Sequence, residues 1–171
     1  VLALSYVNPY YTVDGISRGF DLYQRNTDAS KLDKGPYKTQ NTGGKIRFTV
    51  PVNEEDNINL SLGLEHTTID LLEPVDTTAR YYQYVQTFGN KTLSVLGNIG
   101  WQRDRRDSVT YPTKGMYQSL NLGSALPGGD VKYWRLDYQN QYFMKLSKSF
   151  TLLWNQEWGF ADGYGGKELP F

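Results

Sequence analysis

Apolar and polar residues alternate with a period of two over most of this chain, and no other feature limits its possible folds as strongly. The main apolar residues fall on even numbers in residues 16–22, 46–50 and 60–64, and on odd numbers in residues 93–101. This period places successive side chains on opposite faces of a β-strand, and helical periodicity is nearly absent. The pattern predicts an all-β fold of eight strands.

Polar connections rich in Pro, Gly, Asn and Asp separate the predicted strands, and such residues mark turns. The connections at Asn8–Gly15 and Pro51–Asp56 are short, whereas those at Asn26–Pro36 and Leu71–Lys91 are long. Consecutive strands joined in this way form an antiparallel meander. No linker or low-complexity segment interrupts the pattern, so residues 1–171 are predicted to form one domain or one continuous piece of a larger domain.

The composition excludes several classes of protein. The 171 residues include 18 basic and 18 acidic side chains, and this neutral balance gives no support for nucleic-acid binding, which normally leaves a basic surplus. The chain contains no cysteine, which excludes disulfides and thiolate metal sites. No run of about 18 apolar residues is present, so a membrane-spanning helix is not expected.

The apolar face of the predicted sheet must be covered either by protein, as in a soluble sandwich or lipocalin, or by lipid, as in a membrane barrel. Most alternating segments are long enough for tilted membrane-spanning strands of about 9–11 residues, whereas soluble strands average about 5–6. The opposite face would carry charges of both signs and several glycines, which suits an aqueous lumen but also a solvated outer surface. Its residues include Asp21, Lys45, Arg47, Glu65, Arg135, Asp137, Gln139, Gln141, Asn155 and Glu157.

Aromatic residues make up 15% of the chain, and their positions also favour a membrane barrel. Two clusters are predicted at opposite strand ends, as in the two aromatic girdles of such a barrel. A soluble core would instead place its large rings in the middle of the strands. The first cluster contains Tyr6, Tyr10, Tyr11, Trp101, Tyr111, Tyr142, Phe143 and Phe150, and the second contains Tyr81, Tyr82, Tyr84, Tyr133, Trp134, Trp158 and Phe160.

Some polar residues do not fit the lipid-facing phase. Arg18 lies in the apolar register, where a charge at the bilayer midplane costs about 2–4 kcal/mol, but it lies near a turn, where the cost falls to about 0–1 kcal/mol. Asn140 and Gln156 lie in the same register near mid-strand, and the sequence offers no physical account of them. The pattern as a whole still favours lipid over a soluble core.

No combination of residues predicts a catalytic, cofactor-binding or metal site. His66 is the only histidine, and it lacks the Ser, Cys or second His that hydrolysis or zinc chemistry needs, so it is interpreted as interfacial filler. The run Arg103–Asp107 has mixed signs and is interpreted as a solvated turn rather than an anion site. Glu54–Asp56 lacks EF-hand spacing and is interpreted as a second solvated turn.

Two further groups of residues could belong to a functional site. The glycine-rich segment Gly159–Gly166, followed by Lys167, lacks the order of a phosphate-binding loop and is interpreted as a flexible strand exit. The charges on the predicted lumen face either line a conduction path or pair with one another, and the sequence leaves both alternatives open. These charges are Lys45, Arg47, Glu65, Arg135, Asp137 and Glu157.

Five ordered segments resemble motifs of the BamA family, whose members are central subunits of the bacterial outer-membrane protein assembly machinery. The segment NPYYTVDGISRGFDLY at residues 8–23 resembles the family's strand-turn-strand NPYFTxDGxSxG. Together the five segments cover nearly the whole chain with similar spacing. The other four are PVNEEDNINLSLGLEH, DSVTYPTKGMYQSLNL, ALPGGDVKYWRL and GFADGYGGKELPF, at residues 51–66, 107–122, 125–136 and 159–171.

This resemblance implies a sixteen-stranded transmembrane β-barrel preceded by periplasmic POTRA domains, of which residues 1–171 would hold about strands four to eleven. The POTRA domains, the first and last barrel strands and the VRGF tip of the sixth extracellular loop would be absent, and Phe171 would end the chain by truncation. The elbow Trp101–Tyr117 would be a periplasmic turn. Asn26–Pro36 and Leu71–Lys91 would be extracellular loops.

The resemblance further implies a non-enzymatic function in the outer membrane, namely the folding and insertion of other β-barrel proteins. The implied partners are outer-membrane lipids, unfolded outer-membrane protein clients, accessory assembly lipoproteins, and the missing strands or other chains that would complete the sheet. Three alternatives stay open. They are a self-contained eight-stranded outer-membrane barrel with a structural or adhesin role, a soluble lipocalin-like carrier, and an outer-membrane enzyme that uses His66 with a lumen carboxylate.

Overall fold

A computed structural model describes residues 1–32, 36–73, 78–166 and 169. Within these residues, eight strands form one antiparallel sheet in which each strand pairs with its neighbours in sequence, from β1 to β8. The predicted all-β meander is therefore confirmed. The strands are β1 (Leu2–Asn8), β2 (Ser17–Asp28), β3 (Tyr37–Pro51), β4 (Asp56–Leu71), β5 (Lys91–Asp104), β6 (Gly115–Leu126), β7 (Tyr133–Lys145) and β8 (Thr151–Gly163).

The register of the strand pairs sorts the side chains into two faces. Phe48 of β3 pairs with Leu60 of β4, Leu60 pairs with Ile99 of β5, and Ile99 pairs with Leu122 of β6. We name this side the apolar face. It holds the even-numbered residues of every strand except β5, which contributes its odd-numbered residues, so the predicted change of phase is confirmed.

The opposite side is the polar face, and it holds every residue that the sequence assigned to a lumen. In β2, β3 and β4, for example, Asp21 pairs with Lys45, and Lys45 pairs with Gly63. In β7 and β8, Asp137 pairs with Gly159. Gly63 thus lies opposite a long charged side chain, and an added Cβ there would lie 2.8 Å from the Cβ of Lys45.

The two ends of the sheet differ mainly in one connection, because residues 72–90 between β4 and β5 form a much longer loop than any other. At one end, which we name the short-turn end, the strands are joined by residues 9–16, 52–55, 105–114 and 146–150. At the other, the long-loop end, they are joined by residues 29–36, 72–90 and 127–132. Among the described strands β1 does not pair with β8, so the sheet is open and is not the closed eight-stranded barrel of the first alternative.

The long connections contain more regular structure than the sequence indicated. In the first, β2 continues to Asp28 and a 3-10 helix follows at Ala29–Leu32. In the second, β4 continues to Leu71, and a helix, α1, forms at Arg80–Phe88. Neither helix was predicted, because nine residues of helix within a long polar segment give too short a periodic signal to stand out. The described part of the chain contains no helix long and apolar enough to span a membrane.

Helix α1 packs on the polar face at the long-loop end. The buried ring of Tyr81 stacks on Tyr37 of β3 with their centroids 4.9 Å apart. The hydroxyl of Tyr84 lies 3.1 Å from that of Thr92 in β5. Tyr37 and Thr92 both point to the polar face, so Tyr81 and Tyr84 do not belong to a lipid-facing girdle as predicted. They hold α1 over one end of the polar face instead.

Candidate functional site

The apolar face of β3–β6 is an aliphatic surface that no described residue covers. Leu62 at its centre is 52% exposed, and Leu122 is 43% exposed. On β8, Trp154 is 61% exposed. A soluble carrier would bury these side chains, because apolar surface gains about 25 cal/mol per Å² when it leaves water. An exposed apolar surface of this extent marks contact with lipid or with another protein.

Asn140 and Gln156, which the sequence left without an account, are neighbours in one row of the apolar face. Asn140 pairs with Gln156 across β7 and β8, and Gln118 pairs with Asn140 across β6 and β7. The row continues to Arg103 of β5 and ends at Asp56, the first residue of β4. We name this line of five residues the polar row. It begins at the short-turn end and reaches the middle of β8.

Aromatic pairs border the polar row on both sides. Tyr142 pairs with Trp154 on one side, and Tyr138 pairs with Trp158 on the other. The amide of Gln118 donates a hydrogen bond of 3.2 Å to the hydroxyl of Tyr138. Trp158 therefore lies near the middle of β8, which corrects the prediction that it belongs to a girdle at the strand end, whereas Tyr142 lies near the end of β7 as predicted.

Phe143 also departs from its predicted place. It was assigned to a lipid-facing cluster, but it lies on the polar face, where it is buried. The alternation of β7 is the reason, since Phe143 follows Tyr142 directly and successive side chains of a strand point to opposite faces.

Asp56 connects two turns that are far apart in sequence. Its carboxylate accepts hydrogen bonds from Nε and Nη2 of Arg103, at 2.8 and 3.0 Å, and from the indole N–H of Trp101, at 3.0 Å. Asn53 donates a fourth, at 2.8 Å. Asp56 is only 4% exposed, so its interpretation as part of a solvated turn is wrong. A bidentate guanidinium–carboxylate pair of this kind is among the stronger hydrogen-bonded contacts in proteins.

The neighbouring charges extend this connection, and we name the whole arrangement the turn brace. Arg105 pairs with Glu55, which again joins the elbow after β5 to the turn before β4. Asp104 binds Arg106 two residues along the chain, with Nη2–Oδ2 at 2.6 Å. The mixed charges of residues 103–107 are thus used in defined pairs, and the interpretation as a simple solvated turn is wrong for Arg103.

Asp107 closes the elbow. It accepts hydrogen bonds from the hydroxyl and the backbone N–H of Thr113, at 2.6 and 2.8 Å, and from the backbone N–H of Lys114, at 3.1 Å. These donors lower the pKa of the Asp107 carboxyl to about 2, because they stabilise its ionised form. Gly115 then turns the chain with φ +107, where an added Cβ would lie 2.0 Å from the carbonyl oxygen of Arg105.

The charges that the sequence assigned to the lumen pair with one another or with neutral polar groups. Asp21 lies 3.1 Å from Nε of Arg47 and 3.9 Å from Nζ of Lys45, and Arg135 lies 2.7 Å from Asp137. Glu65 accepts a hydrogen bond of 2.7 Å from Tyr23, and Glu157 accepts one of 3.0 Å from Asn155. Of the two alternatives left open by the sequence, the structure favours mutual pairing over a line of free charges.

The remaining sequence candidates do not form a reactive centre. His66 is exposed on the apolar face, between Thr42 of β3 and Leu93 of β5. No group of three or more His, Asp or Glu side chains among the described residues could hold a metal ion. The glycine-rich segment begins inside β8, and Gly165 and Gly166 take positive φ beyond it. Lys167 and Phe171 lie outside the described residues.

The turn brace was missed because it depends on register. Trp101 and Arg103 lie two residues apart in β5, so both point to the same face, and each brings N–H donors to the apolar face near the short-turn end. N–H donors on an apolar face require an acceptor, which is a signal that the sequence does contain. Only the pairing of β4 with β5 identifies that acceptor as Asp56.

Comparisons with known proteins agree with this architecture. A family model described as the Omp85 superfamily domain matches residues 1–171. The outer membrane protein assembly factor BamA of Neisseria meningitidis serogroup B (strain ATCC BAA-335 / MC58) is 36% identical over 180 residues, which cover 99% of this chain and 22% of that protein. The chain therefore spans less than a quarter of the length of that relative.

A solved structure shares the fold. The crystal structure of BamA from Haemophilus ducreyi lacking POTRA domains 1-3 matches with a TM-score of 0.85 and 24% identity, over 99% of this chain and 34% of that chain. The resemblance to the BamA family expected from the five segments is thereby confirmed. The family model covers the whole chain, so this chain belongs to the Omp85 superfamily, and its open sheet is a section of β-barrel wall of the bacterial outer membrane.

Proposed function

We propose that this chain is part of the barrel of an outer membrane protein assembly factor, which folds β-barrel proteins and inserts them into the outer membrane. The 36% identity to a protein of that name supports this function. The observation that carries it is the register of β3–β6, which aligns an exposed aliphatic surface on one face with paired charges on the other. A sheet of this kind fits hydrocarbon on one side and water on the other.

In this proposal the chain forms part of the barrel wall and contributes no reactive groups. The aliphatic surface of β3–β6 contacts lipid, the turn brace holds the periplasmic ends of the strands, and α1 covers part of the extracellular mouth. Periplasmic POTRA domains and further strands complete a sixteen-stranded barrel. Unfolded outer-membrane proteins are the clients, and accessory lipoproteins assist at the periplasmic side. No step forms or breaks a covalent bond.

The test uses the full-length protein that contains this chain, reconstituted into phospholipid vesicles. A urea-unfolded eight-stranded outer-membrane protein is added, and its folding is followed by the shift in electrophoretic mobility of the folded barrel. We expect folding to be faster than in protein-free vesicles and in vesicles that hold an unrelated barrel of similar size. Equal rates in all three preparations would contradict the proposed function.

A second arm addresses the enzyme alternative. His66 lies on the apolar face, whereas the carboxylates of the predicted lumen lie on the polar face, so the two cannot cooperate in one site. The variant His66→Ala should therefore fold clients at the rate of the unchanged protein. A large loss of rate with an intact barrel would revive a catalytic role for His66.

A further inference from the structure

Arg18 is a cation on the apolar face that the proposed assembly function does not use. It is the second residue of β2 and pairs with Asn8 of β1 and Phe48 of β3, close to the short-turn end. Its guanidinium carbon lies 4.0 Å from the ring centroid of Tyr11 and 5.2 Å from that of Phe20. The two rings fix the position of the guanidinium through cation–π contacts.

The turn after β1 brings Tyr11 to this position. The backbone N–H of Tyr11 donates a hydrogen bond of 2.9 Å to the carbonyl of Ile16. The backbone N–H of Ile16 donates one of 3.2 Å to the hydroxyl of Thr12. Residues 11–16 are thereby folded into a compact turn whose first ring lies against Arg18. The guanidinium is held by structure that forms without any ligand, which is the condition for a preorganised binding site.

Arg18 lacks an anionic partner within the described part of the chain. It forms no ion pair and no side-chain hydrogen bond there, and its Nε is buried without a partner. Arg103 provides the contrast, because it lies on the same face at the same end and is neutralised by Asp56 in a bidentate pair. Arg103 thus has its carboxylate partner, whereas Arg18 still requires an acceptor.

The surroundings of Arg18 select the kind of acceptor. Beside it on the apolar face lie the exposed rings of Tyr6 and Phe20, which stack with their centroids 6.5 Å apart. An anion that also carries hydrocarbon chains can bind the guanidinium and cover this apolar surface at the same time. A soluble anion would leave the rings in water. A phospholipid has this combination of a phosphate group and acyl chains.

We propose that Arg18, held between Tyr11 and Phe20, binds the phosphate group of an anionic phospholipid whose acyl chains lie along the apolar face of β1 and β2. This lipid site is independent of client folding and of the proposed assembly function. It places one lipid at a defined position at the short-turn end, beside the turn of residues 9–16. The free N–H groups of the guanidinium supply charge-assisted hydrogen bonds to the phosphate oxygens.

The site is tested by native mass spectrometry of the full-length protein in detergent, titrated with phosphatidylglycerol or phosphatidylcholine. The variant Arg18→Gln should weaken the binding of the first phosphatidylglycerol about tenfold, the loss expected for one charge-assisted contact. The matched control is Arg25→Gln, which removes the same charge from the same strand but on the polar face. This control should bind the lipid like the unchanged protein.

Three results would overturn the proposal. They are full lipid binding by Arg18→Gln, an equal loss in Arg25→Gln, and displacement of the lipid by inorganic phosphate at equal concentration, which would indicate a site for soluble anions. A second variant, Tyr11→Leu, keeps all charges and should weaken binding severalfold by releasing the guanidinium. Unchanged binding in Tyr11→Leu would contradict the site even if Arg18→Gln failed to fold.

Discussion

Asp56 illustrates how much one carboxylate at a strand end can organise. It holds Arg103, Trp101 and Asn53 at once and is almost fully buried. The variant Asp56→Asn keeps the shape but removes the charge, and it leaves the guanidinium of Arg103 without its anion. We expect a clear decrease in the urea concentration at the unfolding midpoint of the full-length barrel, because the bidentate contact between this carboxylate and the guanidinium of Arg103 is lost on the apolar face.

The control for this prediction is Glu55→Gln. It removes the exposed Glu55–Arg105 pair of the same turn brace, and exposed ion pairs contribute little to stability. Its unfolding midpoint should therefore move much less than that of Asp56→Asn. Equal shifts for the two variants would show that burial of Asp56 does not matter.

The hydrogen bonds of Asp107 predict that the stability of the barrel depends on pH. Its pKa is about 2 in the folded elbow, whereas the ordinary pKa of an Asp side chain is 3.8. A lowered folded pKa means that Asp107 contributes stability above pH 3.8, and that this contribution is lost as the pH falls through about 2. The difference in unfolding midpoint between the unchanged protein and Asp107→Asn should accordingly shrink between pH 4 and pH 2. A constant difference across this range would contradict the hydrogen-bonded elbow.

At the scale of the strand, the two faces of β4 make a direct comparison. Leu62 points to the apolar face and Ser61 to the polar face, where it pairs with Arg47. Leu62→Arg should lower the free energy of unfolding in a bilayer by about 2–4 kcal/mol, the cost of a cation among lipid chains. Ser61→Arg should cost about 1 kcal/mol or less, mainly from the like charge opposite it. Equal losses in a denaturant titration would reverse the assignment of the faces.

Replacing residues of the polar row is predicted to stabilise the barrel, in contrast to the substitutions above. Neither Asn140 nor Gln156 makes a side-chain hydrogen bond to a described residue, and both point to the apolar face. An unpaired amide in an apolar environment costs about 1–3 kcal/mol, so the double variant Asn140→Leu, Gln156→Leu should unfold at a higher urea concentration. The control Gln139→Leu breaks hydrogen bonds on the polar face, including one of 3.2 Å to Glu157, and should destabilise the barrel. No gain in the double variant would place the row at water or lipid headgroups.

Individual elements differ in how far the sequence predicts them. Alternation alone identifies the strands, the change of phase at Leu93 and the residues on each face, because a period of two is a local property. The turn brace is not local, since Asp56 and Arg103 are 47 residues apart, and it follows only from the register of β4 with β5. Helix α1 was missed for a different reason, because Tyr81 and Tyr84 are held by tertiary contacts with β3 and β5 rather than by a strong helical pattern.

For the molecule as a whole, the open edges of the sheet predict that residues 1–171 do not fold stably without further strands. β1 and β8 each present an unpaired backbone, over seven and thirteen residues. Unpaired strand edges promote association with other chains. Residues 1–171 refolded alone in detergent should therefore elute as aggregates in size-exclusion chromatography and lack a cooperative unfolding transition. A monodisperse monomer with a sharp transition would contradict the need for further strands.

The position of the turn brace also has a kinetic consequence. Asp56 and Arg103 are the terminal pair of the β4–β5 ladder, and the chain between these strands must close before they meet. Contacts that form after the folding transition state slow unfolding without speeding folding. We therefore predict that the buried carboxylate at the start of β4 slows the unfolding of the finished wall more than it speeds folding.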